Sequence, residues 1–297
     1  PTPHKAFTKL VKALCGGSLP GNFLNFIFFR PFRVFRSSTA FFRFILLTFI
    51  AFPSLSPAGT NDNVFPVGEK LIYEMYWGVI PVGRMIMSVE LVEDGGKKYL
   101  SFKGTAKSNK VVAMIYPIDD YVESIVDMDT MLPVKYIQKL KEGRRAREDY
   151  TIFFHAGTNA LVWSALKGGK TNTLQIARDT RDVMCLTYAM RNEGFGVGQE
   201  SKFKVLVDDK IYELVVKGLK EEKISVEDYG KVRCLKLQPE AKFGEIFVRK
   251  GKVWLWFSND RRHVCTRMEA QLPVCNVKAL LIDVQGPGDD MWAGEKK

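Results

Sequence analysis

The chain has 297 residues, of which 46% are hydrophobic and 26% charged, and its formal net charge is +11. This composition is ordinary for a globular protein, and the length allows one large β domain or two smaller ones. Residues 1–58 contain seven of the 44 basic residues and none of the 33 acidic ones, which leaves 37 basic residues in the remainder. The body of the chain therefore gives no electrostatic indication of nucleic-acid binding.

The N-terminal segment has the three parts of a secretory signal peptide. Three arginines at 33, 36 and 43 precede the short apolar run 44–52, and small residues follow at Ser56 and Ala58. We therefore predict export to the periplasm, with cleavage after Ala58. The apolar run is shorter than the roughly 20 residues that cross a bilayer, which disfavours a membrane anchor. Two prolines directly after the run disfavour a buried helix.

The signal peptide divides the chain into three predicted parts. Residues 1–58 comprise the signal peptide and, at 1–32, an upstream extension that does not fit one. No cysteine near Ala58 could accept a lipid anchor. Residues 59–285 are predicted to form a single β domain without a transmembrane segment, and residues 286–297 form a polar tail.

Most of the predicted domain consists of segments in which apolar and polar residues alternate, as in β-strands. Turn residues such as Glu93-Asp94-Gly95-Gly96 and Asp208-Asp209 separate them and indicate an antiparallel meander. A short helical turn is predicted at 109–116. The predicted strands are 68–77, 82–92, 97–106, 120–127, 132–140, 148–154, 160–165, 202–207, 211–217, 222–226, 232–238, 245–248 and 253–257, followed by a long hairpin that ends at Val284.

One helix is predicted at about 180–193. Asp179 or Thr180 can cap its start, and Asp182 lies in its first turn, where the helix dipole favours a carboxylate. Val183, Leu186 and later apolar residues follow helical spacing, and Gly194 can end the helix. We expect this helix to lie against the concave side of the sheet, with Tyr188 and Met190 buried.

The final hairpin is predicted to turn at Leu272-Pro273. This register places Met268 opposite Val277 and Ala270 opposite Cys275, and it separates an apolar face from a mainly polar one. The four cysteines after residue 58 could form up to three alternative full pairings. Because Cys265 and Cys275 project from opposite faces in this register, we predict no disulfide.

Three segments in this order resemble a family of exported bacterial proteins, domain of unknown function 3108. They are GEKLIYEMYWGVIPVGRM, RDVMCLTYAMR and VWLWFSNDRRHV, and the resemblance extends from about Phe65 to Val284. The family implies a strongly curved antiparallel sheet or open barrel in the bacterial envelope, and it implies no established activity. Cys185 and Val264 stand where family members usually have Ser and Pro, so no role can rest on that Ser hydroxyl.

No catalytic or metal-binding pattern is visible. The three histidines show no ligand spacing, and His155 and His263 are interpreted as ordinary residues at strand ends. There is no Gly-x-Ser-x-Gly elbow, and the glycines at 194–198 follow a helix rather than precede one, which is the wrong order for a phosphate loop. We therefore expect no metal, no cofactor and no enzymatic activity.

Aromatic residues on both faces of the predicted strands are compatible with a cavity for an apolar, lipid-like ligand, but core packing on one face and helix packing on the other is the favoured explanation. The candidate ligand-binding residues are Tyr188 and Arg191 of the helix, Trp254 and Trp256 of a late strand, and Asp260 in the turn after it. We predict a mainly β fold, a strongly curved antiparallel sheet or open barrel with one main inserted helix.

Three functions fit this fold. The first is a non-enzymatic periplasmic binding module, and the second is a structural or assembly factor that contacts other envelope proteins. The third is a hydrolase with an unrecognised site, which a converging polar cluster in a large cavity would indicate. The sequence leaves the oligomeric state open.

Overall fold

The structure is a computed structural model, and it describes residues 65–164, 168–243, 246–247, 252–271 and 276–287. The predicted signal peptide at 1–58 and most of the predicted polar tail at 286–297 lie outside these residues, as does Cys275. The three described cysteines, Cys185, Cys234 and Cys265, are buried and free.

The described residues form strands and two helices. The short helix α1 spans Lys110–Ala113, and the helix α2 spans Val183–Asn192. Within the described ranges, neither helix has the length and hydrophobicity of a transmembrane span. The strands are β1 Lys70–Trp77, β2 Ile80–Asp94, β3 Lys97–Ser108, β4 Asp119–Asp127, β5 Pro133–Glu142, β6 Arg145–Phe154, β7 Asn159–Ser164, β8 Lys170–Gln175, β9 Thr180–Arg181, β10 Glu200–Val207, β11 Lys210–Val226, β12 Gly230–Phe243, β13 Ile246–Phe247, β14 Lys252–Ser258, β15 Cys265–Gln271 and β16 Asn276–Gln285.

All these strands belong to one sheet. Its order is β8-β7-β6-β5-β4-β3-β2-β1-β16-β15-β14-β12-β11-β10-β9, and β13 pairs with β12 alone. Every pairing is antiparallel except the short parallel contact between β9 and β10. The first and last strands of the chain's meander meet at the β1–β16 pair in the middle of the sheet. The prediction of a mainly β, strongly curved antiparallel sheet is confirmed.

The sheet is open, but side chains connect strands near its two ends. A small cluster of buried residues includes Phe153 of β6, Val162 of β7 and Leu206 of β10. The Arg147 guanidinium of β6 also pairs with the Asp208 carboxylate in the β10–β11 turn. Apolar packing and an ion pair thus hold together two parts of the sheet that no backbone ladder joins.

The helix α2 lies inside the curve of the sheet and packs against β3, β4 and β10. Tyr188 and Met190 are buried, as predicted. The helix begins at Val183 rather than 180, because Asp182 has extended backbone and its carboxylate accepts a hydrogen bond from the Cys185 backbone N–H, 2.9 Å away. Thr180 and Arg181 instead form β9, and neither Asp179 nor Thr180 caps the helix.

The β15–β16 hairpin differs from its predicted register by two residues. Met268 lies opposite Ala279 and Ala270 opposite Val277, and Glu269 lies opposite Lys278. A shift of two residues leaves every side chain on its predicted face, because side chains alternate with a period of two. The hydrophobic pattern alone therefore could not distinguish the two registers.

Strand β11 was wrongly predicted as two strands, and strand β8 was missed. The separate strands predicted at 211–217 and 222–226 are one long strand, β11, with a register shift after Gly218. A Cβ atom on Gly218 would lie 2.1 Å from the Gly196 carbonyl oxygen, so this close approach requires glycine. Strand β8 was missed because its sequence KTNTLQ has no apolar alternation, and most of it is exposed.

Candidate functional site

Polar side chains form a row across the inner face of three neighbouring strands. Gln138 of β5 lies opposite Asp149 of β6, which lies opposite Ser164 of β7. In an antiparallel sheet, residues in register project from the same face. All three residues are buried. The curved sheet thus places an amide, a carboxylate and a hydroxyl side by side in its interior.

A second wall faces this row. It consists of Asp182 and Val183 at the start of α2, together with Leu206 and the turn residues Asp208 and Asp209 after β10. The two walls enclose a cavity of about 240 Å³. We call it the lateral cavity. Its remaining lining residues are Tyr136, Arg147, Thr151, Phe153, Val162 and Val207.

Two buried polar atoms beside the lateral cavity have no hydrogen-bond partner within the described part of the chain. They are the amide nitrogen Nε2 of Gln138 and the carboxylate oxygen Oδ1 of Asp149. The residues are only 4% and 6% exposed. The other carboxylate oxygen of Asp149 accepts a hydrogen bond from Arg147 Nε. Buried polar atoms normally have a partner, so these two indicate a place where a ligand or water completes the site.

Asp182 brings a buried carboxyl group to the lateral cavity. Its Oδ2 accepts a hydrogen bond from Ser124 Oγ at 2.6 Å, and its Oδ1 accepts the Cys185 N–H. Burial raises the pKa of Asp182 to about 6, because the hydrogen bonds only partly offset the loss of solvation. Near neutral pH this carboxyl group is mostly ionised, but a proton is available to it at mildly acidic pH.

The lining of the lateral cavity has an excess of acidic groups. Four aspartates line it, and Arg147 is the basic residue among the lining residues that the structure describes. The Arg147 guanidinium pairs with both Asp149 and Asp208. The local charge therefore favours a positively charged partner over a negatively charged one.

Of the predicted site residues, the structure brings Tyr188 and Arg191 together at the opposite end of α2. The Arg191 guanidinium forms two hydrogen bonds with the Glu69 carboxylate, one of them 3.0 Å long, and both side chains are buried. Arg262 Nη2 donates to the same carboxylate. Burial works to lower the pKa of Arg191, but the Glu69 carboxylate outweighs it and the pKa is raised.

We call the connected side chains of Glu69, Arg191 and Arg262 the ion-pair junction. It joins the three segments that resemble the family. Glu69 belongs to the first segment, Arg191 to the second and Arg262 to the third. His263 Nδ1 hydrogen-bonds the Arg191 carbonyl oxygen at 2.7 Å. His155 Nε2 likewise contacts a backbone carbonyl, that of Pro133, at 2.8 Å. Both histidines thus have structural contacts at strand ends or turns.

An aromatic cluster surrounds Tyr188. Its ring stacks on Phe102, with centroids 4.1 Å apart and planes 12° apart, and meets the Phe65 ring edge-on at 5.1 Å. The Arg191 guanidinium carbon lies 5.6 Å from the Tyr188 ring centroid. These contacts fill the space around Tyr188, so Tyr188 and Arg191 lie in packed core rather than at a cavity mouth.

Trp254 and Trp256 lie on the face of β14 opposite Leu255 and Phe257, away from α2. Trp256 is 3% exposed, and its Nε1 donates to Glu222 Oε2 at 2.7 Å. The Lys236 ammonium lies 4.8 Å from each of the two indole centroids. A ligand would reach the Trp256 ring only after these neighbours move.

Asp260 lies in the turn after β14, where its Oδ1 accepts the Arg262 backbone N–H at 2.8 Å. The five predicted residues are therefore distributed over three places: the ion-pair junction, the outer face of β14 and a turn. Their role in ligand binding stays a prediction.

Sequence reasoning missed the residues of the lateral cavity. Gln138 lies between Tyr136 and Leu140 at alternate positions of a predicted strand, so it occupies a position that faces inward. An inward-facing amide between apolar neighbours was the available signal. Its significance depends on Asp149, its partner across the β5–β6 ladder, and on Asp182, which only the curvature of the sheet brings near.

No three His, Cys, Asp or Glu side chains converge as metal ligands in the part of the chain that the structure describes. This holds for the lateral cavity despite its four aspartates. Carboxylates that hold a cation such as Ca²⁺ must converge on one point, typically with other oxygen ligands. The acidic lining therefore has the charge but not the arrangement of a metal centre.

The fold and the lateral cavity define a class: an open, barrel-like antiparallel sheet with a helix in its interior. A crystal structure of a beta-barrel-like protein of domain of unknown function DUF1849 from Brucella abortus shares this fold, with a TM-score of 0.51 and 10% identity. The alignment covers 74% of this chain and 97% of that one. At this identity the similarity concerns the fold alone.

Residues 72–282 match the family described as protein of unknown function (DUF3108), and the chain belongs to this family. A putative lipoprotein from Parabacteroides distasonis is also similar, with a TM-score of 0.32 and 11% identity over 75% of this chain and 98% of that one. No curated protein shows significant sequence similarity to the chain.

Proposed function

We propose that this protein is a non-enzymatic binding module of the bacterial cell envelope that holds a small ligand in the lateral cavity. The observation that carries the proposal is the pair of buried, unpartnered polar atoms on Gln138 and Asp149 beside that cavity. Leaving such an atom without a partner costs about 1 to 3 kcal/mol. A ligand that supplies the missing hydrogen bonds recovers part of this cost.

The size of the lateral cavity is consistent with an organic ligand. An apolar protein cavity of about 150 Å³ binds benzene. At about 240 Å³, the lateral cavity has room for a somewhat larger molecule. Its walls combine apolar side chains, such as Phe153 and Val162, with a few polar groups, as is usual in small-molecule sites.

Location in the envelope is part of the proposal. Its support is the signal-peptide pattern of residues 1–58, which lies outside the described residues. We propose a periplasmic protein whose ligand is a component or metabolite of that compartment.

A lipid-like ligand between α2 and the sheet, as the sequence suggests, requires a different space. Two small cavities flank Met190 along this contact, and each has a volume of about 20 Å³. Such a volume holds about one water molecule. An acyl chain would enter only after α2 moved outward, whereas the lateral cavity is already open. The lateral cavity is therefore the better-supported site.

A role as an assembly factor is the second candidate, and exposed apolar side chains favour it. Val79, Val111 and Met114 are 87%, 58% and 74% exposed. Val79 lies in the β1–β2 turn, and Val111 and Met114 lie in and directly after α1. The two places are close together, since Asn109 Nδ2 donates a hydrogen bond to the Pro81 carbonyl oxygen at 2.7 Å. Exposed apolar groups of this kind can contact another envelope protein.

A hydrolase is the third candidate, because a polar cluster does converge in the lateral cavity. The cluster contains no histidine, cysteine or lysine among its described lining residues. Its two buried carboxylates are engaged, Asp149 with Arg147 and Asp182 with Ser124 and the helix N-terminus. The Ser124 hydroxyl that donates to Asp182 is not among the described lining residues, and no histidine stands beside a hydroxyl in that lining, which favours binding over hydrolysis.

The proposal is tested by screening fragments of up to about 12 non-hydrogen atoms with ligand-observed NMR. Val162→Phe places extra volume in the lateral cavity, and Leu161→Phe places the same ring on the opposite face of β7. We expect fragments that bind the wild type and Leu161→Phe but not Val162→Phe. Circular dichroism verifies that both variants fold. If no bound fragment is sensitive to Val162→Phe, the proposed function is wrong.

A further inference from the structure

The chemistry of the lateral cavity also defines the class of ligand, an inference that rests on the proposed function. The unpartnered atom of Asp149 is a carboxylate oxygen, which only accepts hydrogen bonds. The unpartnered atom of Gln138 is an amide nitrogen, which only donates. A complementary ligand must therefore present one donor and one acceptor.

The donor and the acceptor must be close together. Gln138 and Asp149 are directly opposite each other on adjacent strands. Side chains in such a pair have Cβ atoms about 4.5 to 5.5 Å apart. A ligand can therefore meet both atoms with two neighbouring polar groups, separated by one or two carbon atoms.

The charge around the site selects a cationic donor. Asp182, Asp208 and Asp209 line the same cavity as Asp149, and Arg147 is their basic neighbour among the described lining residues. A charged N–H donor adds Coulomb attraction to its hydrogen bond with a carboxylate, whereas a neutral donor supplies the hydrogen bond alone. A ligand carboxylate would instead meet unfavourable acidic neighbours.

The rest of the cavity is apolar. Phe153, Val162 and Leu206 belong to the buried cluster that connects strands near the two ends of the sheet. All three also line the lateral cavity. They provide a surface for an aliphatic or aromatic group, whose burial favours binding.

We propose that the lateral cavity binds a small organic ammonium ion that carries a neighbouring carbonyl or hydroxyl oxygen and an apolar group. The ammonium group donates to Asp149 Oδ1, and the neighbouring oxygen accepts from Gln138 Nε2. The apolar group packs against Phe153, Val162 and Leu206. Amino-acid amides have this combination, and so do the N-termini of peptides whose first residue has an uncharged side chain. Free amino acids instead add a carboxylate, which the acidic lining disfavours.

Isothermal titration calorimetry with matched small molecules tests this inference. Leucinamide has the ammonium group, the carbonyl oxygen and an apolar side chain. 4-Methylpentanamide lacks only the ammonium group, and leucine replaces the amide with a carboxylate. At pH 6.5, below the α-amino pKa of about 7.7 to 8.0, the amine is charged. We expect leucinamide to bind at least tenfold more tightly than either of the other two.

Two variants locate the binding. Asp149→Asn removes the proposed partner charge and should weaken leucinamide binding at least tenfold. Glu148→Gln makes the same change one residue away, on the opposite face of β6, and should leave the affinity unchanged. If Asp149→Asn does not fold, the comparison of the three ligands on the wild type still decides whether the ammonium group is required. Gln138→Met then provides a second variant, for which we expect a loss of leucinamide affinity.

The outcomes separate this inference from the proposed function. If 4-methylpentanamide binds as tightly as leucinamide and Val162→Phe abolishes both, the ammonium inference is overturned while the binding function stands. If leucinamide does not bind the wild type, the inference is also overturned, and the fragment screen then decides the proposed function. Equal binding by Asp149→Asn and the wild type would likewise overturn the inference.

Discussion

Buried polar side chains in this protein differ in whether their neighbours supply a hydrogen-bond partner. The Tyr73 hydroxyl donates to the Cys265 carbonyl oxygen at 2.8 Å. The Tyr188 hydroxyl is equally buried but has no hydrogen-bond partner within the described residues. Burial raises the pKa of both phenols, so both remain protonated near neutral pH. The two tyrosines thus offer a direct comparison of a satisfied and an unsatisfied buried hydroxyl.

We expect Tyr188→Phe to leave the free energy of unfolding unchanged or to raise it, because it removes a buried hydroxyl that lacks a partner. Tyr73→Phe should lower it by about 1 kcal/mol, since it removes a formed hydrogen bond and leaves the Cys265 carbonyl unsatisfied. Urea denaturation of both variants measures the difference. A larger loss for Tyr188→Phe than for Tyr73→Phe would contradict the structure around α2.

Asp182 should make the free energy of unfolding depend on pH. Its pKa in the folded protein, about 6, is above the ordinary value of 3.8. Between about pH 4 and pH 6 the folded protein therefore binds more protons than the unfolded chain, and stability falls as the pH rises through this window. A shift of this size corresponds to about 3 kcal/mol. Above pH 6 the contribution of Asp182 is constant.

Asp182→Asn should remove this contribution, since asparagine caps a helix as well as aspartate does and carries no charge. The stability difference between the variant and the wild type should grow in the variant's favour from pH 4 to pH 6 and then level off. Measuring the difference cancels the opposite contributions of exposed acids such as Glu148, whose pKa is lowered. A pH-independent difference would show that Asp182 titrates normally.

The helix α2 is held at each end by a different kind of polar contact. Asp182 and Ser124 fix its start, next to the lateral cavity. Glu69 and Arg191 fix its end, and Arg262 and His263 add contacts from the turn before β15. The ion-pair junction and the lateral cavity thus lie at opposite ends of α2. Because each end is held by its own set of contacts, the position of the helix depends on both.

The ion pair at the helix end should be costly to break from one side. Glu69→Ala leaves the buried Arg191 guanidinium without its carboxylate and should lower stability by about 3 to 5 kcal/mol. Glu148→Ala, which breaks a pair between Glu148 and Lys139 that is 39% and 53% exposed, should cost far less, because solvent screens an exposed ion pair. Thermal and urea unfolding compare the two. Similar small losses for both would mean that the junction is open to solvent.

The sequence predicts those helices and strands whose apolar residues follow a regular spacing. Strands with alternating apolar residues and the helix that carries Tyr188 were found, because their patterns follow from burying one face. The polar strand β8 was missed, since no burial pattern marks it. The two-residue register error at Met268 and Ala270 arose because both registers bury the same face, and the choice depends on the turn geometry.

The shape of the whole molecule determines the lateral cavity. Asp208 is distant in sequence from Arg147 and Asp149 of β6, yet the curved sheet brings it to the Arg147 guanidinium, which also pairs with Asp149. A strand pattern contains no information on how far a sheet curls, so the sequence could not assign these residues to one site. It favoured Trp254 and Trp256 for their size, but their side chains face away from α2. Tyr188 was correctly predicted to be buried, whereas Arg191, proposed from the sequence as a ligand-binding residue, is buried in an ion pair with Glu69.

The most direct test of the account is a map of amide chemical-shift changes on the isotope-labelled protein during separate titrations with leucinamide and 4-methylpentanamide. If the lateral cavity binds small ligands, the changes produced by at least one of them will concentrate at Gln138, Asp149 and Ser164 and in the β10–β11 turn. Changes that concentrate instead at Trp254 and Trp256 would contradict the account. The absence of any change with both compounds would overturn the proposed ligand class, and the fragment screen would then decide whether the lateral cavity binds ligands.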